Sequence, residues 1–255
     1  MQDFLKRYEM VFFFLLTYLL SWWSAPLMNG ALIPQGPMLA AILLVAVTTG
    51  RQGLRAYWKQ LTQWRAGLWY WIGPLVILGY TGIAFAANLW SGATLVEMPR
   101  LLTISVFVQL LFFGGQWEEP GWTGYALPQL EERFAKHPNG TLIAALVLGV
   151  FRALWHLPLF LGGKLYWFDI FVFSLAVQSL IAWLYHRSGR SVPAVMLFHF
   201  VSNVMGAILS PVFVGAEQLT FYAIFVSLAV VFAVVITGFT PFKRRRERAA
   251  AMESL

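Results

Sequence analysis

Cysteine is absent from this sequence of 255 residues, which excludes disulfides, thiolate metal sites and a cysteine nucleophile. Aspartate is nearly absent: only Asp3 and Asp169 occur, so a catalytic pair of aspartates has no basis. Charge of any sign is scarce, with Asp, Glu, Lys and Arg at 11% of positions where soluble domains carry about a quarter. Two short patterns are missing as well. No Gly-x-Ser-Gly offers a serine nucleophile, and no His-Glu-x-x-His offers a helical zinc site.

What is abundant is apolar: 59% of residues are hydrophobic and 17% aromatic. That composition describes a membrane protein, because a spanning helix needs about 20 mainly apolar residues. Eight stretches meet this yardstick: Met10 to Leu27, Ala31 to Gly50, Leu68 to Trp90, Leu101 to Trp117, Thr141 to Leu161, Trp167 to Tyr185, Val192 to Ser210 and Leu219 to Phe239. The first follows Lys6 and Arg7 but lacks a small-residue cleavage site, so it reads as a retained helix.

A net charge of +7 is not a nucleic-acid signal here, because the basic residues sit in short loops and at the ends. With eight spans, one side collects Lys6, Arg7, Arg51, Arg55, Lys59, Arg65, Arg133, Lys136, Arg187, Arg190 and the run Lys243 to Arg248, while the other keeps Arg100 and Lys164. Positive loops mark the cytoplasmic side. The expected fold is therefore all-α, a polytopic bundle in the cell membrane with about eight transmembrane helices and both termini cytoplasmic. The expected partner surface is the lipid bilayer, with no nucleic acid. Residues 1–255 read as a single domain, with a motif-bearing core at about 101–210. Between the second and third spans, Arg51 to Trp64 mixes basic residues with Tyr57, Trp58 and Trp64, the pattern of an amphipathic helix in the headgroup region. No Gly-x-x-x-Gly pair signals self-association.

Against this apolar background a few polar residues stand out. Glu118 and Glu119 directly follow the fourth stretch, Arg152 and His156 lie one turn apart in the fifth, and His199 and Asn203 lie one turn apart in the seventh. Ionisable groups at membrane depth are costly against lipid and belong inside the bundle, where they mark function. A carboxylate, two imidazoles and an amide are the parts of a hydrolase: a base for water, a proton carrier and oxyanion donors. His137 and His186 fall in polar loops and read as solvated.

Three motifs carry a resemblance. Glu118-Glu119-Pro120-Gly121-Trp122-x-Gly124-Tyr125-Ala126-Leu127-Pro128, then Trp155-His156-Leu157-Pro158-Leu159-Phe160, then His199-x-x-x-Asn203 together resemble the CPBP family of intramembrane proteases, which includes the type II CAAX prenyl proteases and bacteriocin-processing and self-immunity proteins. The resemblance implies that Glu118 and His156 activate the hydrolytic water, that His199 and Asn203 steady the oxyanion, and that Glu119 holds the motif in place. It implies a membrane-associated or lipid-modified peptide, of CAAX type or not, as substrate. No cofactor is the first expectation; two histidines and a glutamate could also ligate zinc. The other class of function is a non-catalytic, immunity-type protein that binds a peptide, and a proton-coupled transporter ranks last because no inverted repeat is visible.

The sequence departs from the family pattern twice. Thr123 stands where Glu-Glu-x-x-x-Arg has arginine, and Arg152 stands where phenylalanine usually precedes the histidine by four, with Phe151 one residue earlier. One hypothesis covers both: Arg152 reaches across from a neighbouring helix to Glu119 and replaces the missing arginine.

Overall fold

The computed structural model describes residues 2–99 and 102–239, and every regular element in them is helical. In chain order these are α1 (Gln2–Arg7), α2 (Glu9–Trp22), α3 (Gly36–Leu61), α4 (Trp69–Trp90), α5 (Ile104–Phe113), α6 (Glu119–Gly121), α7 (Leu127–Arg133), α8 (Gly140–Trp155), α9 (Leu157–Leu161), α10 (Ser174–Arg187), α11 (Val192–Leu209) and α12 (Gly215–Phe239). Five helical stretches are long and apolar enough to cross a membrane: Gly36–Leu61, Trp69–Trp90, Asp169–Arg187, Val192–Leu209 and Gly215–Phe239. The shorter helices Glu9–Trp22 and Gly140–Trp155 are also apolar. The protein is a multi-pass helical membrane bundle. Its outward faces carry Leu15, Leu19, Trp71, Val231, Val234 and Phe239, as a lipid-facing surface does.

Packing follows the chain closely. α2 lies on α3, α8 on α10, and α4 on both α11 and α12, with α10 against α12. One apolar cluster runs through them, from Met10 and Phe13 through Tyr80, Trp122, Leu148 and Leu180 to Phe198 and Ala233. A smaller cluster around Phe213 and Phe221 closes one end between α4, α11 and α12.

Three sequence expectations change in the structure. The fourth stretch is not one span: α5 stops at Phe113, the chain extends at Gly114 (φ −80°, ψ 163°), and a new helical segment begins at Gly115. Leu101 itself, like Arg100 and the run Lys243 to Arg248, lies outside the described residues. The fifth stretch also breaks, because Pro158 has no N–H to offer the Leu154 carbonyl; α8 ends at Trp155 and His156 becomes the joint before α9. Finally, the short helical segment expected from Arg51 is present beyond a break at Gly50, which is non-helical (φ +64°, ψ −155°) in a conformation open to glycine, but it ends at Leu61 and leaves Trp64 outside it. Beyond that kink Tyr57 is buried and Trp58 is exposed, so one face has turned inward.

What that face meets is the motif. Residues 115–133 form one continuous helical run whose hydrogen-bond register changes: a 3-10 turn Gly115–Glu118, one α turn at α6, a π turn Trp122–Ala126, then α7. Prolines explain part of this. Pro128 cannot donate to the Gly124 carbonyl, and Gln60 of α3 supplies that bond instead, Nε2 to O at 2.9 Å. Tyr57 donates its hydroxyl to the Pro120 carbonyl at 2.8 Å. Every residue from Glu118 to Leu127 is buried, so this run is enclosed on all sides. Gly121 permits the closest approach, since a Cβ there would run into the Pro37 backbone of α3.

Candidate functional site

Glu118 and Glu119 are 4% and 0% exposed, so they are core residues of the bundle and not the margin of a span. A buried carboxylate must find donors or it destabilises the fold. Glu119 finds three. Arg152 Nη2 donates to its Oε1 at 2.6 Å, His199 Nδ1 donates to the same oxygen at 2.7 Å, and Thr123 Oγ1 donates to Oε2 at 2.5 Å. Charge-assisted bonds of this length are the strong ones. α6, α8 and α11 thus meet at one carboxyl group.

Arg152 itself is 2% exposed. Its guanidinium reaches Glu119 from α8, as the paired departures at Thr123 and Arg152 suggested, and lies 5.9 Å from the Trp122 ring centroid, within cation–π range. The displaced phenylalanine has its own place: Phe151 stacks on Phe14 of α2, ring centroids 3.7 Å apart. Two more ties fix this turn of α8 to α2, from Tyr18 Oη to the Phe151 carbonyl and from Trp22 Nε1 to the Trp155 carbonyl, each 2.9 Å. These anchors give the arginine a rigid base.

The histidines are held through their Nδ1 atoms. His156 Nδ1 donates to the Arg152 carbonyl at 2.8 Å, and His199 Nδ1 donates to Glu119. In each neutral ring Nε2 is then the lone-pair nitrogen. Asn203 Nδ2 donates to the His199 carbonyl one turn back, at 3.1 Å. Ser191 orients their helix by capping α11, accepting from the Ala194 N–H, while its own hydroxyl donates to the Gln63 carbonyl at 2.7 Å.

Glu118 is placed differently from its neighbour. Its Oε2 lies 3.9 Å from Arg152 Nε, beyond hydrogen-bond distance, and neither atom has a hydrogen-bond partner in the protein. Glu119, Arg152, His199 and Thr123 are therefore joined directly, His156 joins through the Arg152 main chain, and Glu118 remains beside them without a direct hydrogen bond to His156 among the described residues. Among these residues no three His, Asp or Glu side chains converge in a metal-ligating group.

Sequence comparison meets the same segment. The family model for type II CAAX prenyl endopeptidase Rce1-like proteins matches residues 99–205, which hold every residue of the cluster just described. Over these residues the chain is similar to the CAAX protease family. A curated relative, CAAX prenyl protease 2 of Methanococcus maripaludis, is 29% identical over 112 residues, which cover 40% of this chain and 40% of that protein. The family-model match thus covers the motif-bearing helices, and the chain spans less than half the length of this relative.

Several contributors gave no sequence signal of their own. Tyr57 and Gln60 looked like interface residues and instead complete the motif helix. Glu9 accepts from Tyr125 Oη at 2.6 Å, tying the start of α2 to the π turn. His186, read as solvated, is buried against Glu131, whose second oxygen accepts from Arg190 Nη2 at 2.9 Å. His137 is exposed as expected.

Proposed function

We propose that this protein is an intramembrane endopeptidase that hydrolyses a peptide bond in a membrane-associated or lipid-modified peptide, with Glu118 activating the water. The observation that carries this reading is the unequal treatment of two adjacent buried carboxylates. Glu119 is saturated by Arg152, His199 and Thr123, whereas Glu118 keeps an oxygen without a hydrogen-bond partner. A saturated carboxylate holds structure; an unsaturated one beside it is available as a base.

The steps balance simply. Glu118 takes a proton from water as its oxygen adds to the scissile carbonyl carbon, and the oxyanion that forms is steadied by Asn203 and by His199 in its doubly protonated form, the form in which Nε2 also carries a proton. The C–N bond then breaks, and the proton passes through Glu118 or His156 to the leaving amine. In this scheme Glu119, Arg152 and Thr123 position His199 and the motif helix. A metal is not needed for these steps, so activity should persist in chelator.

The test is cleavage of a quenched fluorescent panel of prenylated and unmodified peptides by the purified protein and by Glu118→Ala, with and without chelator. Cleavage by the wild type alone supports the peptidase, and sensitivity to chelator would overturn the metal-free scheme. If both proteins bind peptide and neither cleaves it, the protein sequesters its peptide instead.

A further inference from the structure

Gly115 opens the 3-10 turn that carries Glu118, and no sequence motif singles it out. The structure places it between two reacting groups. A Cβ built on Gly115 would lie 2.9 Å from Glu118 Oε1 and 2.8 Å from His199 Cε1, and closer still to His199 Nε2. Carbon is not tolerated at such distances, so one of the two side chains would have to shift.

Neither is free to do so. His199 is tied through Nδ1 to Glu119 at 2.7 Å, and Glu119 is itself fixed by Arg152 and Thr123. Glu118 is buried, with Arg152 on its Oε2 side. The two Glu118 oxygens therefore have different surroundings: Oε2 faces the guanidinium, and Oε1 faces Gly115 and the His199 ring.

We propose that Gly115 is a positioning residue for the peptidase reaction: its bare Cα is the floor over which Glu118 Oε1 and His199 Nε2 approach one another, and any side chain there separates base from oxyanion donor. The proposal rests on the hydrolase reading above. Backbone strain is not the reason for glycine, because Gly115 is not among the positive-φ residues. The requirement is close approach alone.

Gly115→Ala tests it, with Gly82→Ala as control, since a Cβ at Gly82 meets nothing within 4 Å. A displacement of reacting groups by about 1 Å costs on the order of 10²-fold in rate. The expected result is a kcat lower by about that factor with KM unchanged, and a double variant Gly115→Ala, His199→Ala no slower than His199→Ala alone. Retained kcat, or effects of the two substitutions that simply multiply, would overturn the proposal. A wild type that cleaves nothing in the panel would sink the hydrolase reading, and the positioning claim would then be decided by ¹⁵N-histidine spectra. Gly115→Ala should move the His199 resonances and leave those of His137 in place; unmoved His199 resonances would refute it.

Discussion

Glu119 has three donors between 2.5 and 2.7 Å and no exposure, so its neighbours matter through the cost of an unpaired buried charge. Removing one member of a buried ion pair costs about 3–5 kcal/mol. Arg152→Ala should therefore lower the unfolding temperature of the purified protein sharply. Thr123→Arg combined with Arg152→Phe returns the cation to the position the family pattern gives it, and should recover most of the loss. Wild-type stability in Arg152→Ala would show that the pair does not hold the site. Thr123→Val is milder, removing one hydrogen bond to a charged group at about 1.5–3 kcal/mol. The need for a cation near Glu119 was legible in the sequence, because two departures one turn before His156 and four residues after Glu119 compensate each other. Gly115 was not legible, since what it does depends on a ring from α11 that sequence distance conceals.

Among elements, the motif helix shows how proline shapes a site. Pro128 leaves the Gly124 carbonyl without its helical donor, and Gln60 fills the gap from α3 while also donating to Tyr185 Oη at 2.9 Å. Gln60→Leu buries that carbonyl unpaired and should destabilise by about 1–3 kcal/mol, read as loss of thermal stability in detergent. A change within a few tenths of a kcal/mol would mean that water or another donor takes its place. The long apolar runs of α4, α11 and α12 were legible from periodicity and length. The Gly114-Gly115 pair allows a bend, and the chain does break at Gly114; the break at His156 was not legible, because the Thr141 to Leu161 stretch is apolar on either side of it and hydropathy alone does not register a change of direction.

At the scale of the whole molecule, the apolar exterior makes lipid part of the fold. Val234 lies exposed near the end of α12, 65% accessible in the bundle. A charged residue in a spanning helix carries an insertion cost of up to about 2.5–3.5 kcal/mol at its centre. Leu228 and Val231 sit nearer that centre, and Val231→Asp should reduce the amount of protein recovered in membranes, while Val231→Leu should not. Equal recovery of both would argue against a lipid-facing α12. Composition announced the membrane class at once, and the three motifs marked the helices that converge. What joins them is tertiary: one carboxylate collecting donors from three helices, with a second carboxylate left beside it.

That division between the glutamates is the central claim, and one paired measurement addresses it. Glu118→Gln and Glu119→Gln are purified in parallel, and peptide cleavage and unfolding temperature are recorded for each. The account predicts that Glu118→Gln unfolds like the wild type yet loses about 10²–10⁴-fold in cleavage, the usual worth of a general base. Glu119→Gln should unfold at a clearly lower temperature. Full cleavage by Glu118→Gln, or undiminished stability in Glu119→Gln, would contradict it.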